Sequence, residues 1–465
     1  MAEVVNKSAL FSRLPPAPTL APEPAKAKVI VLDDDPTGTQ TVHGIPVLTT
    51  WSVDALAAEL IDPAPCAYLL TNTRAFPRTE ACRINREIGG QLRVAAAATG
   101  RPFRVISRGD STLRGHFPAE TDALAAGLGA AFHATLVIPA FFAGGRYTIG
   151  DVHYVAQGED LVPVGETEFA HDPEFGFRAS DLRAWVEEKT AGAHPAATVR
   201  SVSLELLRLG GAEAARDELL SIPAGGIAIV NAAAPGDLAV LTHAIARAEE
   251  RGRRFLFRTA ADFVPAYAGI SRRPLLEARE MRSAEPGAGG LIVAGSYVGR
   301  TSSQLRELVA RHPSMVSVEV EVAKLIDAAS RESEVRRAHD GVAAALRGGR
   351  DVVLFTSRAL AQGASAEEFG RIGQRVMAAL VDIVRTLEVR PSWIVAKGGI
   401  TSSDLATRAL GIRRAIVLGQ ALPGLPVWAP GPESKWPQLP YIVFPGNVGG
   451  PDALAELVRR LHASA

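Results

Sequence analysis

The stretch "VIVLDDDPTGTQT", residues 29–41, runs four apolar residues into three consecutive aspartates and a Thr-Gly-Thr turn. A short apolar run rich in β-branched residues and closed by turn residues reads as a strand buried on both faces. The charge at its tip is the informative part. Neighbouring carboxylates repel, and their pKa values rise unless cations or hydrogen-bond donors neutralise them. Capping a following helix needs only one such side chain. Three of them point to binding or catalysis at the end of a buried strand.

The same rhythm continues outward. "CAYLLTN" (66–72) follows a helical segment that begins near Val53. "PFRVIS" (102–107) follows another, from about Thr79 to Ala98, and "ATLVIPA" (134–140) follows a third. Strands alternating with helices predict an α/β fold with a doubly wound, mostly parallel sheet. In such sheets ligands bind at the carboxyl ends of the strands. Residues 141–182, rich in glycine, aromatics and charge, break the pattern and read as an irregular functional loop or lid.

The α/β pattern resumes over residues 225–264, and the polar stretch 271–290 reads as a linker. A second α/β rhythm then begins. The expected organisation is a flexible tail over 1–27, a first domain over 28–275, a linker over 276–290 and a second domain over 291–465.

The bulk composition narrows the function class. The 465 residues carry 50 basic and 50 acidic side chains, so no global field favours nucleic acid or an anionic membrane. Two cysteines make neither a disulfide framework nor a paired metal site. No apolar run is long enough to span a bilayer, and the N-terminus lacks the apolar core of a secretory signal. A cytoplasmic protein is expected. The Pro/Ala-rich residues 15–27 read as an extended, mobile lead-in.

Two further strand ends carry polar clusters. "SRGDSTLRGHFPAE" (107–120) sets Arg108 and Arg114 around Asp110 and Ser111. Guanidinium forks suit a carboxylate or phosphate, and an aspartate can accept a hydroxyl proton. "TNTRAF" (71–76) brings Arg74 to the same predicted edge. In the second half, "AGSYVGRTSS" (294–303), "KGGITSSD" (397–404) and "PGNVGGPD" (445–452) each join an apolar strand to a helix through a glycine turn. Backbone N–H groups in such turns can hold phosphate. None is a P-loop or a dinucleotide fingerprint. Asp33, Asp35 and Thr37 also match the D-x-D-x-T pattern of Mg²⁺-dependent phosphatases, in which an aspartate attacks phosphate. A phosphosugar phosphatase is therefore the alternative reading.

Taken in order, "DDDPTGTQTV", "TNTRA", "SRGDSTLRG", "GDVHY" with "ETEFAHDPEFGF", "AGSYVGRTSSQL", "AKGGITSSDLA" and "FPGNVGG" closely resemble the motifs of the four-carbon acid sugar kinase family. The resemblance spans almost everything after residue 27. It implies an N-terminal acid-sugar-binding domain and a C-terminal nucleotide-binding domain. It also implies ATP with Mg²⁺, and phosphorylation of the terminal hydroxyl of erythronate, threonate or 3-oxo-tetronate.

Carried over by motif, substrate contacts fall on Asp34, Arg74, Arg108, Gly109, Asp110 and Ser111. ATP contacts fall on Ser296, Gly398, Gly399, Ile400, Thr401 and Gly446. From the local chemistry we add Asp35 and Arg114 to the substrate set and Gly449 to the nucleotide set. Either Asp34 or Asp110 is expected to be the base. Many members carry "ADDFTG" where this chain has "DDDPTG", so Asp33 is an extra carboxylate and Pro36 replaces an aromatic residue. The expected partners are small molecules, with no nucleic acid or membrane, and a homodimer is expected from the base rate for symmetric oligomers.

Overall fold

The computed structural model describes residues 3–283, 288–295, 299–357, 366–446 and 448–463. The chain divides into two compact units, Met1–Arg272 and Arg273–Ala465.

The first unit is built on eight parallel strands. Their spatial order is Arg200–Val202, Gly226–Val230, Ala134–Ile138, Phe255–Thr259, Phe103–Arg108, Lys28–Asp33, Cys66–Leu70 and Pro46–Leu48. The opening stretch supplies one of the inner strands, with every residue from Val29 to Asp33 buried. That burial on both faces is what its unbroken apolar run signals. Helices lie between the strands. Val53–Ile61 starts on the side chain of Ser52, which accepts the Ala55 N–H. Arg78–Thr99 stops at Gly100, which takes the left-handed backbone that ends many helices. Ile84, Ile88 and Leu92 of that helix pack on Ile30, Leu32 and Leu69 of the sheet.

Residues 141–182 differ from the expected irregular loop. Arg146–Ile149, Val152–Gln157 and Asp160–Pro163 form antiparallel strands of a second, small sheet. The first turn is the two-residue Gly150-Asp151, with φ of +58° and +67°. Such a turn matches the natural strand twist and makes a tight hairpin. The Gly-Asp pair between two apolar runs was the signal for it.

The leading residues also hold more structure than their composition led us to expect. Val5–Asn6 adds a strand beside Asp160–Leu161. Further along, Pro15 O accepts from Arg208, Glu23 N–H donates to Thr242 and Ala25 N–H to Tyr267 O. Proline removes backbone donors, so this stretch is tied down through its remaining N–H and C=O groups.

The second unit orders its strands Arg414–Gln420, Pro426–Pro430, Tyr441–Phe444, Ile394–Lys397, Leu291–Ala294, Val352–Thr356 and Val316–Val320. The last five pair in parallel, and the first two add antiparallel. Its core joins Ile292, Val353, Val395 and Ile442 with Leu305 and Leu308 of helix Gly299–Arg311 and with Leu454 and Leu457 of helix Ala453–Leu461. Leu276 and Met281 are fully buried in that same core. The described part of the expected linker therefore belongs to the second unit's packing, because two apolar residues in a polar stretch suffice to anchor it. Among the described residues no helix is long and apolar enough to cross a membrane.

Candidate functional site

The parallel register sets the site. Asp33 lies level with Leu70 on one side and Arg108 on the other, and Arg108 is level with Thr259. The residues that follow these strand ends therefore emerge side by side. Backbone bonds fix them there. Asp34 N–H donates to Arg108 O, Arg74 N–H to Asp34 O and Gly109 N–H to Thr259 O.

The side chains form an alternating charge network. Arg74 pairs with Asp35 and, at 3.2 Å, with Asp110. Arg114 Nε lies 2.8 Å from Asp110 Oδ2, and its Nη1 lies 3.8 Å from Asp172. Arg108 Nη1 lies 3.3 Å from Asp33 Oδ1 and 3.9 Å from Asp34 Oδ1. The Thr37 N–H and hydroxyl donate to Asp35, and the Thr112 hydroxyl donates to Asp110. Ser111 presents its carbonyl to Nε2 of His153 at 2.8 Å. Burial holds His153 largely neutral, down to about 4. The hairpin that carries it is thereby pinned to the site.

The aspartates are thus inequivalent. For Asp110, burial would raise the pKa, but Arg114 and Arg74 outweigh it and hold the carboxyl well below its usual range. Asp35 is lowered in the same way, by Arg74 and Thr37 against burial. Asp33 is pushed up to about 7 by burial, with Asp34 and Asp35 adding to the effect against Arg108. Asp34 rises to about 6 by burial, moderated by Arg74 and Arg258. Neither oxygen of Asp34 has a hydrogen-bond partner among the described residues. A buried carboxylate left in that state is costly, and a ligand hydroxyl would satisfy it.

The second unit carries its own strand-end cluster. Ala294, Lys397 and Phe444 are level across three adjacent parallel strands. Gly295, the Gly398-Gly399 pair and the Pro445-Gly446 pair follow them directly. Gly398 adopts φ +108° and leads into helix Gly399–Asp404. Thr401 is buried close to Gly295, whereas Ile400 is 60% exposed at the turn. Gly446 has open space where a side chain would be, and the Gly449 carbonyl accepts from Gln304 Nε2. Ser296 lies outside the described residues.

Sequence reasoning missed three residues here. Arg258, Glu120 and Lys397 are all buried. Arg258 Nη2 donates to Arg114 O at 3.1 Å. Glu120 accepts from Thr73 and Asn85. Lys397 Nζ donates to Pro445 O at 2.9 Å and Gly446 O at 3.4 Å, and sits 4.3 Å from the Phe444 ring centre. Burial, with Arg300 nearby, brings its ammonium down to about 7. A usable signal existed for two of them. Arg258 and Lys397 interrupt apolar strands within their last two residues, as Asp33 and Arg108 do.

The geometry thus defines a class: one α/β unit with a strand edge lined by aspartates and arginines, and a second with glycine turns at adjacent strand ends. The comparisons with known proteins agree. Residues 29–267 match the model of a sugar-binding N-terminal domain, and residues 291–454 that of a nucleotide-binding C-terminal domain. These two domains form the architecture of the four-carbon acid sugar kinases, and the chain belongs to that family.

Two solved structures share its fold. One is described as a putative tRNA synthase from Salmonella typhimurium LT2. It is 18% identical, with a TM-score of 0.67, over 93% of this chain and 99% of that one. The other is a Haemophilus influenzae protein classed under a domain of unknown function, DUF1537. It is 17% identical, with a TM-score of 0.64, over 93% of this chain and 100% of that one. No functionally curated protein is significantly similar in sequence.

Proposed function

We propose that the protein transfers the γ-phosphoryl group of ATP to the terminal hydroxyl of a four-carbon sugar acid, erythronate, threonate or 3-oxo-tetronate. The observation that carries this reading is the unpartnered carboxylate of Asp34, set among arginines at the carboxyl edge of a sugar-binding domain. The substrate hydroxyl oxygen forms the new bond to phosphorus as the bridging bond to the β-phosphate breaks. ADP leaves, and the hydroxyl proton goes to Asp34. A base is most effective when its pKa lies near the working pH, which favours Asp34 at about 6 over the ion-paired Asp110. Asp110 instead holds Arg74 and Arg114 in place. Asp35, Arg108, Gly109 and Ser111 complete the substrate frame.

ATP would take its phosphate contacts from the turns at Gly398, Gly399, Ile400, Thr401, Gly446 and Gly449, with Ser296 beside them. Phosphoryl transfer asks mainly for positioning and charge stabilisation. Among the described residues no group of three or more His, Cys, Asp or Glu side chains is arranged to hold a metal ion. Magnesium entering with ATP would keep several phosphate and water ligands and needs no more than one or two carboxylates from the protein.

The phosphatase alternative needs Asp33 or Asp35 as a free nucleophile. Arg108 faces the first and Arg74 holds the second, and the reading gives the glycine turns no role.

The test is direct. Purified protein with ATP, Mg²⁺ and a panel of four-carbon acids should release ADP with at least one of them. Absence of ADP with every acid overturns the reading, and phosphate release from phosphosugars without ATP would put the phosphatase in its place.

A further inference from the structure

Three of the five arginines around the aspartate cluster already face carboxylates of this chain. Arg74 has Asp35 and Asp110, Arg108 has Asp33 and, at 3.9 Å, Asp34, and Arg114 has Asp110 and Asp172. Among the described residues, Arg146 and Arg258 have no carboxylate within ion-pair distance. Arg146 is only partly buried. It donates to Gly144 O and lies over Phe169, as Arg114 does.

Arg258 is different. It is 6% exposed and its Nη1 has no hydrogen-bond partner among the described residues, whereas Arg146, whose Nε is likewise unpartnered, is the less buried of the two. Two glycines make room for it. A Cβ built on Gly109 would fall 1.3 Å from Arg258 Nη1. One built on Gly115 would fall 2.9 Å from Arg258 Nη2 and 3.2 Å from Asp34 Oδ2. A buried guanidinium and a buried carboxylate, each with unused hydrogen-bonding capacity, thus flank the same glycine.

A lone buried cation is costly unless something pairs with it. A small hydroxy acid carries the two complements in one molecule, an anion for Arg258 and a hydroxyl for Asp34. A guanidinium fork binds a carboxylate through two parallel N–H···O bonds. A neutral sugar would satisfy Asp34 and leave Arg258 unmatched.

We propose that Arg258 anchors the substrate's carboxylate and makes this site select acids over neutral sugars. The proposal rests on the kinase reading above for the identity of the acid, and on the unmatched Arg258 for the anchor.

The test compares erythronate and threonate with their primary amides, which keep every hydroxyl and lose the charge. The wild-type protein is expected to prefer the acid by roughly 10²–10³-fold in kcat/KM, the range typical of a buried charge pair losing one partner. Arg258→Gln should lose that preference, chiefly through a raised KM for the acid, so that acid and amide are turned over with similar kcat/KM. ATP binding by calorimetry should be unchanged, and an unaltered unfolding transition of the N-terminal unit in scanning calorimetry reports that the variant is folded. Arg258→Lys keeps the charge without the fork. It should retain the acid preference with a KM raised about tenfold, and it serves if the glutamine variant does not fold.

The proposal is overturned if Arg258→Gln keeps the wild-type ratio of acid to amide, or if Arg146→Gln loses that ratio instead. Should the wild type release no ADP with any acid, the kinase reading falls by itself. The anchor is then judged by calorimetric binding of acid against amide to wild type and Arg258→Gln, with equal binding of both by the wild type overturning it.

Discussion

Asp34 and Asp110 stand one residue beyond or two residues beyond neighbouring strand ends, yet they meet opposite surroundings. Two arginines reach Asp110, while Asp34 is buried with neither oxygen hydrogen-bonded among the described residues. If Asp34 is the base, only its ionised form accepts the proton. Burial raises its pKa to about 6, so activity should be lost as pH falls through about 6 and reach a plateau above it. A pH profile of kcat/KM checks this, and a profile flat from 5 to 8 would count against Asp34. Asp34→Asn should lower turnover by roughly 10²–10⁴-fold, the usual share of a general base, with ATP affinity kept. Gly109→Ala is the second expectation at this scale. Its methyl would collide with the Arg258 guanidinium, so it should raise KM for the acid and cost on the order of 1–3 kcal/mol of stability by overpacking. Chemical denaturation and steady-state kinetics read the two effects separately.

Among the elements, the hairpin over 146–157 and the turn after Ile394–Lys397 carry the most consequence. The hairpin brings His153 to Ser111 O and Thr148 Oγ1, and so braces the segment that carries Asp110. At the end of strand Ile394–Lys397 the Lys397 ammonium reaches the turn after the neighbouring strand Tyr441–Phe444 and holds the carbonyls of Pro445 and Gly446. Lys397→Met keeps the length of the chain and leaves those carbonyls without their donor. An unpaired buried carbonyl costs about 1–3 kcal/mol. The variant should lose about that much stability in the C-terminal unit and, with the Pro445-Gly446 turn no longer held in place, bind nucleotide about tenfold more weakly or worse. Calorimetric titration with ATP or ADP measures it, and an unchanged Kd would show that the clamp does not shape the nucleotide turns.

For the whole molecule, the division at Arg272 and Arg273 has a thermodynamic consequence. A ligand stabilises the state it binds, by about 2.7 kcal/mol at a hundred times its Kd. ADP should therefore raise the unfolding transition of the C-terminal unit, and the sugar acid that of the N-terminal unit. Differential scanning calorimetry with each ligand alone distinguishes them. A sugar acid that shifts only the C-terminal transition would reverse the assignment of the two sites.

Much of this was legible in the sequence for a simple reason. Parallel strands covered on both faces must be continuously apolar, so "KVIVL", "CAYLL" and "LIVA" announce themselves, and charged residues at their ends stand out. The hairpin around Gly150-Asp151 was not read from the sequence, because its short strands lie in a segment rich in charge and aromatics that looked like an irregular loop. What the sequence could not supply was pairing. Arg74, Arg108 and Arg114 are equivalent as letters, and only the register of the strands decides which carboxylate each one meets. Arg258 lies 224 residues from Asp34 in the chain, and nothing local distinguishes it from any other arginine near a strand end. The sequence by itself determined two α/β units, a polar strand edge in the first and glycine turns in the second, because these follow from local periodicity and turn chemistry. Only the tertiary structure decided which aspartate keeps both oxygens free of hydrogen bonds and which buried arginine faces no carboxylate among the described residues, because charge compensation depends on distances that strand order sets and local sequence does not encode.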